Sequence, residues 1–407
     1  MPLALVIVNI QRVVVVGAGL AGLRTIEELR SRGYQGEITL IGAEQRLPYD
    51  RPPLSKKVLT GQLDDTSLRA ELAALRVDFR GGETATAVDP GSDPASAGGL
   101  VRTDRGEYRF DRLVIATGAS PVTLPGPGAQ RVLRTMDDAL ALRGVLRPGL
   151  RLVVAGAGWI GAELASAAAA LGAKVTVLDL ADAPLSAALG ADVGSLTVPW
   201  YAAAGVELLL GQGVESVQPG GLALAGGGWL AADEVVTAVG VRPATGWLAG
   251  SGLRLESGVA TDAGLRASAP GVYAVGDCAS FVSGRYGRRL RFEHWDVALH
   301  APEVAAANLL GGSEAYDPVP YFWSEQFGRM VQYAGYHGGA DRLVWRGDPS
   351  AARWTACWLA GDRLVALLTV DRPRDLNQGR RVIAAATPVD PARLADPDVL
   401  IRDVGPG

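Results

Sequence analysis

Val13-Val14-Val15-Val16 is a run of four β-branched residues closed by Gly17, and the positions after it, up to Leu29, favour helix. An apolar run without polar alternation suits a strand buried on both faces, as in parallel sheets. Glu37-Ile38-Thr39-Leu40-Ile41-Gly42 predicts a second strand and completes a βαβ unit. The pattern then returns: Leu152-Val153-Val154-Ala155 runs into Gly156, an alanine-rich helix covers 162–171, and a strand follows over Lys174 to Asp179. Asp111 to Gly118 and Pro270 to Asp277 read as further buried strands, and 232–240 as the strand closing the second unit, with Val241-Arg242-Pro243 leading out of it. Residues 88–108, rich in Gly, Ser, Asp and Pro, predict a hairpin with a loop, and the Pro and Gly residues of 121–128 mark a domain crossing. From about Phe327 the segments are short and alternating, with a Gly361-Asp362 turn and a helix around 377–386. The fold class expected is α/β: two Rossmann-like domains and a small C-terminal α+β domain. The domains are placed at 11–118 with 243–325, at 119–242, and at 326–407.

Both βαβ units carry G-x-G-x-x-G where strand meets helix, at Gly17, Gly19 and Gly22 and again at Gly156, Gly158 and Gly161. The first glycine makes the tight turn, the second lets a pyrophosphate approach the backbone, and the third lets helix and strand pack closely. The helix N-terminus adds free N–H groups and a partial positive charge. Two such sites imply two different nucleotides, commonly FAD and a nicotinamide cofactor. An acidic residue is expected ~20 residues beyond the glycines, where it holds ribose hydroxyls. Asp179 stands there in the second unit, and no arginine follows it before Arg242, which favours NADH over NADPH. In the first unit Ala43 and then Glu44 occupy that region, and Glu44 is either a ribose ligand or a solvated loop charge.

Composition narrows the classes. The 407 residues are 48% hydrophobic and 20% charged, a globular balance, and the net charge of −4 gives no sign of a nucleic-acid binder. Lysine occurs only at Lys56, Lys57 and Lys174. Pro52-Pro53 forbids regular helix until after Pro53 and presents Ser55 and Lys56 at the start of a helix beyond it, so Lys56 is either half of an exposed basic pair or a compact charge beside a cofactor. Arg285 to Arg291 is a second basic run, read as a solvated hairpin or as a face for an acidic partner. Cys278 and Cys357 have no metal-like or C-x-x-C spacing and point to a reducing cytoplasm; His294, His300 and His337 show no metal spacing either. Met1 to Ile10 is an apolar lead-in to the first strand, and no stretch reaches the ~18 apolar residues of a membrane span.

Taken together, V-G-A-G-L-A-G at Val16, Y-D-R-P-P-L-S-K at Tyr49, A-T-G at Ala116, L-R-T-M-D-D-A at Leu133, G-A-G-W-I-G-A-E at Gly156, V-G-D-C-A at Val275, R-F-E-H-W at Arg291, Y-F-W-S-E-Q at Tyr321 and V-D-R-P at Val370 cover nearly the whole chain. In these motifs it resembles the FAD-dependent, NADH-linked ferredoxin reductases of bacterial oxygenase systems, the putidaredoxin reductase-like family of the glutathione-reductase structural class. The resemblance implies hydride transfer from NADH to FAD. Two single-electron steps then pass to a [2Fe-2S] ferredoxin, an acidic electron-transfer protein that supplies a cytochrome P450 or a ring-hydroxylating (Rieske-type) oxygenase. It implies that Gly17, Gly19, Ala21 and Gly22 cradle the FAD pyrophosphate, with Arg51 and Arg134 adding charge or hydrogen bonds. It places Lys56 near the flavin N5, Glu163 near the nicotinamide and paired with Lys56, Asp277 on the ribitol, Trp295 at the far edge of the flavin and Trp323 close to the isoalloxazine. Gly156, Gly158, Gly161 and Asp179 would hold NADH. Ala85, Thr117, Gly118, Ile160, Gly240, Gly276, Glu293 and His294 are assigned to cofactor binding on the same basis.

Departures from the family's pattern are equally specific. Ala43 stands where an acidic residue is usual, Ala183 marks the place where an arginine is usual after the Asp179 strand, and Pro302 is expected to kink or restart the helix after Trp295. Disulfide reductases of this class carry a C-x-x-x-x-C pair on the first FAD-domain helices, whereas here no cysteine precedes Cys278, which is read as a small buried apolar residue. Two other functions stay open to the sequence: an NADH-dependent flavoenzyme with a small acceptor such as a quinone, oxygen or a radical, and a slow-turnover flavoprotein acting mainly by partner binding.

Overall fold

The computed structural model describes residues 10–68, 72–91 and 98–406; most of the expected lead-in and the loop inside 88–108 lie outside them. The chain forms two compact units. The first comprises the described residues up to Asp50, Ser67–Ala119 and Pro243–Pro318, and the second Arg51–Thr66, Ser120–Arg242 and Val319 onward.

The first unit is built on a five-stranded sheet in the order Val272–Ala274, Arg112–Ile115, Arg12–Val16, Glu37–Gly42, Val77–Gly81. All four pairings are parallel, with Val14 opposite both Thr39 and Leu113. The valine run therefore lies in the middle of the sheet, where Val13 to Val16 are all buried. Helix Leu20–Ser31 follows it and packs against helix Trp295–Leu309. The latter runs unbroken through Pro302, so the expected restart does not occur, although Pro302 offers no N–H to the preceding turn. Residues 88–108 form more than a hairpin: Ala85–Asp89, Gly99–Thr103 and Glu107–Phe110 make a three-stranded antiparallel sheet. The basic run ends in a hairpin, with Ser283 paired to Arg288 and Phe281 to Leu290.

The second unit repeats the parallel theme with strands Glu207–Leu209, Lys174–Leu178, Arg151–Ala155 and Glu234–Thr237 in that order. Helix Trp159–Ala170 buries Ala162, Leu164, Ala165 and Ala168 in the core beneath. Its small side chains let backbone and sheet approach closely. Segment Arg51–Thr66 belongs to this unit and not, as the sequence suggested, to the first; its Leu59 is fully buried among Leu142, Leu164 and Val177. After the paired prolines it makes one π-helical turn, Leu54–Val58.

The C-terminal part is a five-stranded antiparallel sheet, ordered Tyr321–Gln326, Arg329–Gly335, Arg363–Val370, Trp354–Ala360, Arg342–Arg346. Tyr321–Gln326 pairs with Arg329–Gly335 along its whole length, so this sheet begins ahead of the boundary expected at 326. The helix expected around 377–386 is Pro373–Ala385, starting earlier because proline at its first position fits a helix N-terminus, and a short helix, Pro391–Ala395, follows it.

Candidate active site

Each unit carries one glycine cradle at the C-terminal edge of its parallel sheet, beside the point where the strand order reverses, the usual place for ligands in such sheets. In the first, Gly17 has φ +116°, and a Cβ there would fall 2.1 Å from the Ala116 carbonyl oxygen. Any side chain would drive the neighbouring strand away. A Cβ at Gly22 would fall 2.0 Å from the Gly17 oxygen, so helix and turn touch through bare backbone. Gly19, by contrast, faces open space and caps a 12-residue helix that has no side-chain cap. Uncapped N–H groups facing open space beside a glycine are the room and polarity that a nucleotide diphosphate requires. The second cradle repeats these features: Gly156 against the Ala238 oxygen, Gly161 against the Gly156 oxygen, Gly158 open.

Around the first cradle lie the other residues of its unit. Ala21 is buried, and Gly276, with φ +71°, packs against it. Asp277 follows in a tight turn after Val272–Ala274, where its carbonyl accepts from Arg291 at 3.2 Å. Arg291 also pairs with the exposed Glu293 at 2.5 Å. Thr117 donates its hydroxyl to the Ala244 carbonyl at 2.8 Å, fixing the bend that continues into Gly118. Glu44 is half-buried and accepts from the Tyr49 hydroxyl at 2.7 Å, so it is more than a solvated charge. Ala85 opens the first strand of the antiparallel sheet.

Trp295 donates its indole N–H to Asp50 at 2.7 Å, an interaction the sequence did not announce. Burial raises the Asp50 carboxyl, and burial pushes the His294 imidazole down to about 4 against the upward pull of Asp277. His294 stacks on Phe292 with centroids 5.2 Å apart. This end of the first unit therefore disfavours charge.

In the second unit charge is gathered. Glu163, on the helix that starts at the second cradle, is only 4% exposed. Its Oε2 accepts from Lys56 Nζ at 2.7 Å and from the Ser55 hydroxyl, and its Oε1 accepts from the Ser324 hydroxyl at 2.6 Å. The Lys56 ammonium also donates to the Pro52 carbonyl at 3.0 Å and to Ser55 Oγ at 3.3 Å, so its three protons each have an acceptor. The π-turn presents Ser55 and Lys56 together. Trp323 stands next to Ser324 on the strand but on the opposite face, stacked on Tyr321 with centroids 6.0 Å apart. Arg51 donates to the Arg134 carbonyl, just ahead of a helix whose Thr135 and Asp138 form a capping box. Asp179 accepts from the Ala157 N–H at 2.7 Å and the Ala181 N–H at 2.9 Å, which anchors its carboxylate at the mouth of the cradle. Ile160 is exposed at the start of the helix, and Gly240, φ +110°, follows the closing strand.

Lys56 and Glu163 are thus brought into contact as expected, while Ser55, Ser324 and Asp50 are partners that sequence reasoning passed over. Ser55 and Ser324 lie inside motifs already noticed, yet a serine carries no periodic signal, and both meet Glu163 across more than 100 residues of chain. Cys278 and Cys357 are free and fully buried, and burial raises both thiols. Among the described residues no group of His, Cys, Asp and Glu is arranged to hold a metal ion, and no helix is long and apolar enough to cross a membrane.

Two glycine cradles on doubly wound sheets, one backed by a lysine–glutamate pair, define a protein for two dinucleotides. The chain belongs to the pyridine nucleotide-disulphide oxidoreductase family, which it matches over residues 11–301, and residues 321–405 match the reductase C-terminal family. It is 38% identical over 409 residues to the ferredoxin–NAD(+) reductase component of the anthranilate 1,2-dioxygenase system of Burkholderia cepacia, covering 96% of this chain and 98% of that protein. Among solved structures it is similar to Fdr9, with TM-score 0.91 and 48% identity over 98% of this chain and all of that one. It is also similar to the reductase of the covalent putidaredoxin reductase–putidaredoxin complex, with TM-score 0.90 and 32% identity over 97% and 98% of the two chains.

Proposed function

We infer that this protein is an FAD-dependent ferredoxin–NAD(+) reductase that takes hydride from NADH and delivers single electrons to a [2Fe-2S] ferredoxin supplying a cytochrome P450 or a ring-hydroxylating oxygenase. The observation that carries this over the disulphide chemistry in the family's name is the cysteine inventory. No cysteine precedes Cys278, and both cysteines are buried with raised thiols, so no dithiol stands ready to relay electrons. A cytoplasmic location goes with free thiols of this kind.

Bound FAD supplies a hydride acceptor that releases electrons singly. The chain's own part is binding, orientation and charge. Gly17, Gly19, Ala21 and Gly22 bind the FAD diphosphate, Glu44 the adenosine ribose and Asp277 the ribitol. Ala85, Thr117, Gly118, Gly276, Glu293, His294 and Trp295 line the same cofactor, with Arg51 and Arg134 adding donors. Gly156, Gly158, Ile160, Gly161 and Gly240 bind NADH, and Asp179 accepts from its ribose hydroxyls while repelling a 2′-phosphate. Lys56 would present a positive charge that favours a reduced flavin, Glu163 holds that ammonium, and Trp323 would sit close to the isoalloxazine. In domain terms, 11–50 and 67–118 with 243 to about 320 serve FAD, 119–242 serves NADH, and the C-terminal part starts at Tyr321. Proximity and orientation suffice, and no nucleophile or general base is needed.

The test is NADH-driven cytochrome c reduction with and without a [2Fe-2S] ferredoxin. A yellow protein, bleached faster by NADH than by NADPH, whose cytochrome c rate rises many-fold with ferredoxin is expected; a rate that ignores ferredoxin would transfer the assignment to a small-acceptor flavoenzyme.

A further inference from the structure

Glu163 is a buried carboxylate with more donors than its ion pair alone requires. One oxygen serves Lys56 and Ser55, and the other is taken by Ser324, whose side chain is fully buried on the edge strand of the C-terminal sheet. Ser324 in turn accepts from the Gln326 amide at 3.0 Å, two residues along the same face. These side chains come from three separate elements: the π-turn, the helix of the second cradle and the C-terminal sheet.

An ammonium on a four-carbon stem is mobile unless its acceptors are fixed. A lone carboxylate can rotate about its own stem, but one gripped at both oxygens cannot. We propose that Ser324 and Ser55 are positioning residues: by gripping the two oxygens of Glu163 they lock the carboxylate and thereby fix where the Lys56 ammonium stands. The C-terminal sheet then has a role in the chemistry of the lysine as well as in packing. The proposal rests on the reading of Lys56 as the charge presented to the flavin, but its first readout is the lysine itself and not the flavin.

Lysine scarcity makes that test direct. Only Lys56, Lys57 and Lys174 react with an amine-acylating reagent besides the N-terminus, and the last two are exposed internal standards. In the flavin-loaded wild-type protein, limited acylation read by peptide mass spectrometry should modify Lys56 more slowly than Lys57. Ser324→Ala and Ser55→Ala should each raise the Lys56:Lys57 ratio at least about threefold, equivalent to about 0.7 kcal/mol, with Lys174 unchanged. Ser324→Thr, which keeps the hydroxyl, should return the ratio toward wild type. If Ser324→Ala does not fold, Ser55→Ala carries the comparison from a different element. An unchanged ratio in a folded alanine variant, or a raised ratio that Thr fails to restore, overturns the proposal. The second readout is the flavin midpoint potential, expected to move negative in Ser324→Ala and back in Ser324→Thr. A changed labelling ratio with an unmoved potential would uphold the positioning role and remove Lys56 from the flavin. An unchanged ratio would end the positioning role and leave the reductase assignment standing.

Discussion

The two cradles are alike down to single hydrogen bonds. Gly17 donates to the Ile41 carbonyl and Gly156 to the Leu178 carbonyl, each at 2.8 Å, and Ala116 and Ala238 each donate back to the first strand at 2.7 Å. This register makes Gly42, and not Ala43 as the sequence suggested, the counterpart of Asp179, and there the likeness ends. In the second unit Asp179 reaches the Ala157 N–H, whereas in the first a Cβ at Gly42 would fall 2.6 Å from the Ala18 Cβ. One cradle has a carboxylate at its mouth and the other has none at that position. The difference extends outward: the second unit gathers Lys56, Glu163 and Asp179, while burial in the first keeps His294 neutral and raises Asp50. The backbone scaffold is common, and side chains at the strand ends separate the two sites.

The largest effect should come from the charged pair that only the second unit has. Lys56→Met leaves the buried Glu163 carboxylate without its counter-charge, which should cost about 3–5 kcal/mol in denaturant unfolding and slow flavin reduction; adding Glu163→Gln should recover part of the stability. Wild-type stability and kinetics in the single variant would strip the pair of any role in either.

Next come the glycines common to both. Gly22→Ala and Gly161→Ala each force a Cβ to within 2.0 Å of a backbone oxygen, a strain of about 3 kcal/mol or more. The first should lose bound FAD and its yellow colour. The second should stay yellow and show a KM for NADH raised at least about tenfold, since 1.4 kcal/mol is already a factor of ten. Equal loss of FAD in both would erase the division of labour between the cradles.

His294 sharpens the contrast through pH. Its imidazole is held down from 6.5 to about 4 by burial, so the unfolded chain binds a proton in that window that the folded protein refuses. Stability should therefore fall as pH drops through the window, in total by roughly 3 kcal/mol, with the raised Asp50 working in the opposite sense at the acid end. Thermal melts of His294→Phe should show a flatter slope between pH 6.5 and 4; an unaltered slope would assign the acid loss elsewhere.

The smallest change is the most pointed. Asp179→Gly makes the second strand end resemble the first, and the preference for NADH over NADPH in kcat/KM should drop about tenfold, equivalent to about 1.4 kcal/mol. A preference that survives would place cofactor choice in other residues.

Much of this was legible in the sequence because it rests on local signals. Valine runs, paired glycine motifs and the Gly361-Asp362 turn each declare themselves within ten residues, and the strands appear where they predict. The Lys56–Glu163 contact was reached only through resemblance, since nothing local joins residues so far apart. Of the features that escaped, three are the most instructive. Segment Arg51–Thr66 leaves its neighbours for the other unit because its apolar residues, Leu59 above all, find their core there. Tyr321–Gln326 joins the C-terminal sheet because pairing with the next strand outweighs proximity in sequence to the first unit. The serine grip on Glu163 depends on side-chain direction, which periodicity gives by face and never by partner.

The interleaving of the two units also sets an order of events at the ribosome. The strand Arg112–Ile115 has an edge awaiting Val272–Ala274, and about 150 residues, most of them from the other unit, are made before that partner emerges. At translation speeds of about 5–20 residues per second, roughly 8–30 s separate the two strands. For that interval the nascent first unit presents an open, apolar parallel edge. Guarding that edge falls to whatever meets the nascent chain, so yield in a heterologous host should rise with chaperone supply; equal yield with and without added chaperones would show that the edge is covered in time.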